Sequence, residues 1–515
     1  MSTLRDEAVA ASSGLSARRR WSALAVLSMA LTVIAVDMTI LNVALPHIAA
    51  DLAPSATQQL WIVDVYSLIL AGLLVPMSAL ADRFGRKRIL LAGFVVFGGV
   101  SLAVLLVQTP AALIVLRALL GVGGAMVMPT TLSMLRVIFT DPKERATALG
   151  VWAAVSAVGM AVGPVVGGLL LEHISWHSAF LINVPLMVVA VVAGLLILPE
   201  YRSPEPPPFD LAATLASIVG MVGLVWSIKH FAEQGFDDAT AWTVLAAAVL
   251  VLAWFVRRCL RSPAPILDLG LFRRAPFTGG ILAALASMFA MGALLLLVAQ
   301  WLQLVQGRSP LQAGVALLPA AIAMMVVSPV APALAQRLGA RTVLGGGLAV
   351  AAIGFLIIFL APEPLAYPWV AVALALLGGG GSSLAVGSAI IMAGTPQEKA
   401  GNAAALEETS YELGSVLGVA VLGSVASASY GTRLAEGSAL TGLGAEQAHA
   451  ARESLAGAME IAAQTGSAEL AARAADAFAD SLTRTGLVGF VVMLVAATVA
   501  TVLIPRDLTI TGREH

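Results

Sequence analysis

The chain contains a succession of apolar runs, each about as long as a helix needs to cross a lipid bilayer. Of its 515 residues, 59% are hydrophobic and only 11% are charged, whereas average soluble proteins have about 25% charged residues. A membrane-spanning helix needs about 20 mostly apolar residues, so we predict an all-α polytopic membrane protein. Its fourteen predicted spans are approximately 21–45, 58–80, 88–107, 110–134, 146–170, 178–198, 211–230, 240–258, 277–300, 311–335, 341–361, 367–393, 402–428 and 485–504.

Composition argues against several classes of function. A net charge of −1 provides no basic field for nucleic acid. The single cysteine, Cys259, excludes disulfides within the chain and cysteine-ligated metal clusters. His173 and His177 are four residues apart, but no third ligand lies near them in sequence, so we predict no metal site. We also expect no enzymatic activity, because no group of His, Cys and Asp residues gathers near one membrane surface.

The positions of lysine and arginine predict the orientation of the spans. Of these residues, 22 fall in segments on the same side as the N-terminus and six on the other side, among them Lys229. Because positive residues concentrate on the cytoplasmic side, both termini are expected to be cytoplasmic. The first run carries Asp37 and is too long for the apolar region of a signal peptide, so we interpret it as a membrane helix.

A repeated loop indicates that the chain is built from two related halves. Ser78–Lys87 and Pro332–Arg341 agree at five of ten positions, including an Arg-x-Gly sequence, and each segment follows a predicted span. Two halves related by an axis along the membrane normal are known in transporters. The predicted units are an N-terminal tail (1–20), a six-helix half (21–198), an inserted helix pair with linkers (199–276), a second six-helix half (277–504) that includes an outer helical hairpin (429–484), and a C-terminal tail (505–515).

Acidic residues within the predicted spans are the main functional signal. A charge in the bilayer interior costs a few kcal/mol or more, so such residues usually face a water-filled pathway. A structural ion pair between helices is the alternative, most strongly for Glu407, which points about 100° away from Glu408. Helix rise places Asp37, Asp64 and Arg117 at one depth, where they can form a cluster. The acidic residues concerned are Asp37, Asp64, Glu407, Glu408 and Glu412.

These acids predict a mechanism of exchange. A buried carboxyl group can bind either a proton or an organic cation, and competition between the two would couple their movements. Aromatic faces and flexible methionines would line the path of such a cation. We expect Trp61 to belong to the interfacial aromatic belt instead. The candidate lining residues are Tyr66, Trp152, Trp226, Phe289, Tyr411, Met126, Met128, Met291, Met324 and Met325.

Motifs that appear in order along the chain carry a family resemblance. They are Asp37-Met-Thr-Ile-Leu-Asn42 in the first span, Ser78 to Lys87 in the loop after the second, Arg117-Ala-Leu-Leu-Gly121 in the fourth, Gly159-x-x-x-Gly163-Pro164-x-x-Gly167-Gly168 in the fifth, Trp176 to Pro185, and Ala400 to Glu408. Together they resemble the fourteen-helix drug:proton antiporter branch of the major facilitator superfamily, and in particular QacA/QacB-type exporters of quaternary ammonium compounds. Ser78 and Leu120 depart from the usual glycine and glutamine.

The resemblance implies a major facilitator fold of two six-helix halves plus two inserted helices. It implies a monomeric, proton-coupled multidrug antiporter of the bacterial inner membrane, which needs no cofactor besides the proton gradient and exports lipophilic cations such as quaternary ammonium compounds and dyes. An exporter of an endogenous metabolite, lipid or antibiotic on the same fold is the alternative. Met324 stands where some relatives carry an acidic residue, which predicts a preference for monovalent cations.

The resemblance also implies roles for individual residues. Asp37 and Glu408, with Arg117, would carry protons, whereas Asp64 and Glu412 would lie on the substrate side. It implies conformational roles for two segments: the loop after the second span, which would act as a latch, and the closely packed fifth helix. The latch residues are Asp82, Arg83, Gly85 and Arg86, and the packing residues are Gly159, Gly163, Pro164, Gly167 and Gly168.

Overall fold

The computed structural model of the protein describes residues 16–202, 210–234, 238–262, 265, 267–393, 395, 400–436, 439–506 and 508. Within these ranges the chain is helical and forms no strand, which confirms the predicted all-α class. The helices are α1 (Ala17–Leu52), α2 (Ala56–Phe84), α3 (Arg86–Ala103), α4 (Pro110–Ile138), α5 (Pro142–His173), α6 (Ser178–Leu181 and Asn183–Ile197), α7 (Leu211–Gln234), α8 (Ala239–Arg261), α9 (Ala275–Gln300), α10 (Pro310–Ala316, Leu318–Val327 and Ala331–Leu338), α11 (Ala340–Leu360), α12 (Tyr367–Gly379 and Ser382–Ala393), α13 (Ala400–Ala435), α14 (Ala445–Glu453), α15 (Leu455–Thr465) and α16 (Ala468–Leu503).

Each predicted span lies within or overlaps one of these helices. In the described part of the chain, thirteen helical stretches are long and apolar enough to cross a membrane. The fifth predicted span, 146–170, lies within α5, where the apolar stretch Val158–His173 is shorter than the others. Helix starts follow local sequence signals: the Ser55 side chain accepts a hydrogen bond from Gln58 N at the start of α2, and Thr109 followed by Pro110 begins α4.

The two repeated loops adopt the same turn. Gly85 connects α2 to α3 with a φ of +115°, and Gly339 connects α10 to α11 with a φ of +87°. Residues with a Cβ atom avoid such positive values, so glycine is required at both places. Matching sequence and matching backbone at equivalent points support a duplication of the two halves.

The halves, α1–α6 and α9–α13 with α16, meet along a few helices. Within the halves, α1 packs on α5 and α9 packs on α13. We call the contact between the two halves the seam. There α2 contacts α13, α5 contacts α10, and α1 contacts α9. The inserted helix α7 packs on α8 and also touches α2 and α13, so it lies against the seam.

Polar contacts clamp α7 and α8 together at both ends. At one end, Arg258 Nε lies 2.6 Å from Asp210 Oδ2, and this hydrogen bond holds the pKa of the Asp210 carboxyl below its usual range. At the other end, His230 Nε2 lies 2.7 Å from Asp238 Oδ2. The inserted pair is therefore connected as one hairpin, and a movement of α7 would carry α8 with it.

Two short helices, α14 and α15, form the hairpin between α13 and α16. We name the membrane face at which they lie the hairpin face, and the opposite face, where α1 begins and α16 ends, the terminal face. The Tyr430 hydroxyl of α13 donates a 3.0 Å hydrogen bond to Ala451 O of α14. Gly466 ends α15 with a φ of +67°. Helix α16 begins directly afterwards at Ala468, so residues 468–484 continue into the last span. The predicted start of that span, residue 485, is therefore too late.

The glycines of α5 bring its backbone close to both halves. A Cβ atom added to Gly159 would lie 3.1 Å from Ala35 Cβ of α1, and Gly163 and Gly167 face Thr39 and Ile40 of the same helix. Gly168 faces the other half instead: an added Cβ would lie 2.5 Å from the Leu311 Cα atom of α10. Small residues permit this close helix contact, so α5 packs against its own half and across the seam.

We expect Gly168→Ala to destabilise this arrangement, because its Cβ would meet α10 backbone that has no free rotamer to move aside. Overpacking of this kind costs about 1–3 kcal/mol in the free energy of unfolding. Thermal unfolding of the purified protein in detergent micelles measures the change. The matched control is Gly346→Ala in α11, where an added Cβ has no neighbour within 4 Å. Equal stability of the two variants would contradict the packing role of Gly168.

Candidate functional site

The predicted intramembrane acids lie on three helices. Asp37 is on α1, Asp64 is on α2, and Glu407, Glu408 and Glu412 are on α13. Four of the five side chains are buried, and that of Glu408 is half-buried. Helices α2 and α13 contact each other across the seam. Two of the three helices that carry the acids therefore belong to the contact between the halves.

Asp37 belongs to a closed network of polar side chains. Its Oδ2 accepts a 2.8 Å bond from Arg117 Nη1 of α4, and its Oδ1 accepts a 2.9 Å bond from Asn183 Nδ2 of α6. Arg117 Nε also donates to Ile62 O at 3.0 Å. Asp37 and Arg117 are each only 1% exposed. Through these bonds the pair joins four helices of the first half, α1, α2, α4 and α6, by charge-assisted hydrogen bonds, which are the stronger kind.

Tyr66 of α2 packs against this network. The Arg117 guanidinium lies 4.5 Å from the centroid of the Tyr66 ring, a cation–π distance. Gly124 of α4 leaves room for the hydroxyl, since an added Cβ would lie 3.0 Å from Tyr66 Oη. The Tyr66 hydroxyl is buried and has no hydrogen-bond partner in the part of the chain that the structure describes. In this conformation one face of the predicted cation-lining ring is already occupied by the chain's own arginine.

Asp64 pairs with Lys229, a residue outside the predicted site. Its Oδ2 lies 2.8 Å from Lys229 Nζ of α7, and both side chains are 1% exposed. The prediction of one cluster with Asp37 and Arg117 is therefore wrong for Asp64. Lys229 is buried, not part of an outer loop segment, and its Nζ lies 4.3 Å from the centroid of the Trp61 ring. Trp61 itself is half-buried, and its interfacial position stays a prediction.

The acids of α13 have a different environment. Glu407 accepts a short hydrogen bond from the Tyr411 hydroxyl, one turn further along α13. Glu412 is 4% exposed and faces Ser67 of α2, and its Oε2 has no hydrogen-bond partner among the described residues. Glu408 lies beside Glu412 on the same helix face, as four-residue spacing requires. Within the described ranges, no lysine or arginine forms an ion pair with any of these three acids.

The remaining predicted lining residues lie in separate places. Trp152 of α5 donates a 3.3 Å hydrogen bond from its Nε1 to Thr131 Oγ1 of α4. Met324 of α10 borders a small cavity with Met288 and Met291, inside the second half. None of the five acids lines that cavity, so the structure does not bring Met324 together with them.

The loop motif after α2 holds the linker that follows α6. Arg86 Nε bonds to Asp82 Oδ1 at 2.8 Å, and Arg86 Nη1 donates to Ser133 O of α4 at 2.8 Å. Glu200 Oε1 accepts a hydrogen bond from Lys87 N at 3.1 Å, so Glu200 and not Asp82 meets the positive N-terminal end of α3. The Arg86 guanidinium also lies 4.6 Å from the Tyr201 ring, whereas Arg83 is exposed. The motif thereby ties α2, α4 and the start of the inter-half linker together.

Comparisons with known proteins agree with this architecture. The family model described as Major Facilitator Superfamily matches residues 27–419. The multidrug efflux pump LfrA of Mycolicibacterium smegmatis is 42% identical over 492 residues, which cover 95% of this chain and 97% of LfrA. The methyl viologen resistance protein SmvA of Salmonella typhimurium is 37% identical over 446 residues, which cover 86% of this chain and 89% of SmvA.

More distant proteins share the fold or part of the sequence. The tetracenomycin C resistance and export protein of Streptomyces glaucescens is 33% identical over 425 residues, covering 79% of this chain and 76% of that protein. Among solved structures, a bacterial homologue of the human lysosomal transporter Spinster, in an inward-facing and unoccupied conformation, aligns with a TM-score of 0.66 at 18% identity. The alignment covers 95% of this chain and 98% of that one.

Proposed function

Because this chain belongs to the major facilitator superfamily, we propose that it exports lipophilic organic cations in exchange for protons. It is a multi-pass membrane transporter and not an enzyme. Two relatives support drug efflux: LfrA is a multidrug efflux pump, and SmvA is named for resistance to methyl viologen, an organic cation. The motifs support a place in the fourteen-helix antiporter branch, of the QacA type, as a monomer of the bacterial inner membrane with a cytoplasmic terminal face.

The uneven distribution of buried charge carries the proposal. In the first half, Asp37 is paired with Arg117 and Asp64 with Lys229. In the second half, Glu407, Glu408 and Glu412 share one helix, and the described part of the chain provides no basic partner for them. A buried carboxylate is unfavourable without a counter-charge, so it must take up a proton or bind a cation. The α13 acids therefore form a site at which the two compete.

The position of α13 connects this competition to movement. Helix α13 packs on α9 within its own half and on α2 across the seam, and Glu412 faces Ser67 there. A relative movement of the halves would expose these acids to one membrane face at a time. A deprotonated pair would bind a cation from the terminal face, and protons arriving from the hairpin face would release it.

The individual roles follow from the contacts. We assign proton and cation exchange to Glu408 and Glu412, with Glu407 held by Tyr411 beside them. Asp37 can carry a proton only if Arg117 moves away from it, so its role is coupled to a movement of α4. The preference for monovalent cations that Met324 predicts remains part of the proposal, and methyl viologen, a dication, is the natural comparison.

A second candidate is the export of an antibiotic or another endogenous product. The similarity to the tetracenomycin C resistance and export protein favours it, because that relative is named for the export of tetracenomycin C. Both candidates share the fold and alternating access. They differ in substrate charge: only organic cations need the α13 acids as counter-ions for the substrate, whereas either kind of substrate can use the acids for protons.

Transport by purified protein in liposomes tests the proposal. With an imposed pH gradient, we expect ethidium to move against its concentration gradient, and protons to move in the opposite direction. Dissipation of the gradient by a protonophore should stop the movement. Transport of tetracenomycin-like uncharged compounds with no transport of ethidium would favour the second candidate, and ethidium movement independent of pH would refute proton coupling.

A further inference from the structure

Lys229 occupies a position that suits a bound organic cation. Its ammonium group meets a carboxylate, Asp64, at 2.8 Å and an aromatic face, Trp61, at 4.3 Å. A carboxylate beside an aromatic face is the combination that recognises alkylammonium and quaternary ammonium ligands. The chain thus presents such a site already filled by one of its own side chains.

The fit of Lys229 in this site is incomplete. An ammonium group has three hydrogen-bond donors, yet among the described residues Nζ has no partner besides the Asp64 carboxylate and the Trp61 ring. A buried ion pair with so few supporting hydrogen bonds contributes little to stability, since desolvation offsets the attraction. The pair therefore needs another explanation than stability.

The surroundings of Lys229 permit its displacement. A cavity of about 360 Å³ lies at the hairpin face, and its lining includes Leu60, Lys229, Ser424, His449, Arg452 and Glu453. Besides α7, the cavity borders α2, α13 and the hairpin helix α14. An ammonium group released from Asp64 would have polar surroundings in this cavity, so the exchange need not expose a charge to lipid.

Lys229 also lies on α7, an inserted helix that packs on both α2 and α13. Met221 and Val225 of α7 pack in an apolar cluster with Leu68 of α2 and with Val416 and Ala420 of α13. The ion pair is thus positioned to link the occupancy of Asp64 to the position of α7 relative to the seam.

We propose that Asp64 and Trp61 form a cation-binding site whose occupant in this conformation is Lys229, and that an aromatic monovalent cation takes the place of the Lys229 ammonium. Lys229 is then a built-in competitor that sets the affinity of the site. The proposal rests on the proposed function only in its choice of cation, because the site is defined by binding and not by transport.

Equilibrium binding of ethidium to the purified full-length protein is the first test. Lys229→Met removes the competing charge and keeps the chain length, so we expect ethidium to bind about tenfold more tightly, the order of one charge-assisted contact. Asp64→Asn combined with Lys229→Met should abolish the gain, and Trp61→Leu combined with Lys229→Met should reduce it. Unchanged affinity in Lys229→Met, or a gain that persists without Asp64, would overturn the proposal.

Chemical labelling of the unmodified protein is the second test and does not depend on a variant folding. If ethidium displaces the ammonium group, saturating ethidium should raise the acylation of Lys229 by a water-soluble amine reagent, measured by mass spectrometry. Lys87, whose Nζ donates to Leu195 O, is the internal reference. Labelling of Lys229 that ethidium leaves unchanged would refute displacement. If ethidium binds as expected but is not transported, the proposed function is refuted. The binding and labelling results would still decide whether Lys229 competes for the site.

Discussion

The Glu412→Gln variant is expected to bind ethidium about 10- to 100-fold more weakly than the native protein and to lose export driven by a pH gradient. Glu412 is buried, its Oε2 has no hydrogen-bond partner, and the described residues provide no lysine or arginine for it. A cationic substrate would therefore supply its counter-charge, and a hydrogen bond or contact to a charged group is worth about 1.5–3 kcal/mol. Glutamine keeps the shape of the protonated acid, so the fold should persist.

Three comparisons make this result specific. Glu446→Gln, on the exposed surface of α14, is the matched control and should leave binding and export unchanged. Glu408→Gln should impair proton coupling as strongly as Glu412→Gln, because the two acids share a helix face. Glu407→Gln should have a smaller effect, since Tyr411 already bonds to that carboxyl group. Full proton-coupled export by Glu412→Gln together with Glu408→Gln would contradict the exchange site on α13.

The sequence predicted most of the helices because bilayer thickness imposes a length and composition that can be read locally. The runs 211–230 and 240–258, for example, fall within α7 and α8. The repeated Arg-x-Gly sequence also predicted that the loops containing Gly85 and Gly339 are equivalent, and their backbones match. The hairpin boundary was less accurate, because good helix formers continue from Ala468 into the last apolar run and no local signal separates the two.

Charge pairing could not be predicted in the same way. Helix rise gives the depth of a residue but not the direction of its side chain or the identity of the neighbouring helix. Asp64 and Arg117 share a depth, yet Asp64 pairs with Lys229, 165 positions later in the sequence. One signal was available: Lys229 lies inside the predicted span 211–230, and a lysine there is costly unless it is paired. Asn183 belongs to the motif Trp176 to Pro185, but its hydrogen bond to Asp37 depends on how the helices pack and could not be predicted from the sequence.

Removal of Arg117 is expected to have the largest effect on stability. Arg117→Met leaves Asp37 buried with Asn183 as its remaining hydrogen-bond donor, and breaking a buried pair in this way costs about 3–5 kcal/mol. The combined variant Asp37→Asn/Arg117→Met replaces both charges by neutral groups of similar size, so it should recover much of that loss. Thermal unfolding in detergent micelles, performed as a double-mutant cycle, measures the coupling energy between the two side chains.

An exposed ion pair is the control for this cycle. Arg433 Nε lies 2.6 Å from Asp480 Oδ2, but the two side chains are 42% and 22% exposed. Water and salt screen such a pair, so Arg433→Met should lower the stability much less than Arg117→Met does. If Arg117→Met costs no more than Arg433→Met, the Asp37–Arg117 pair is hydrated and open to exchange, and Asp37 would then join Glu408 as a proton carrier without any movement of α4. If the double variant is as unstable as Arg117→Met alone, the loss comes from packing against the Tyr66 ring and not from the unpaired charge.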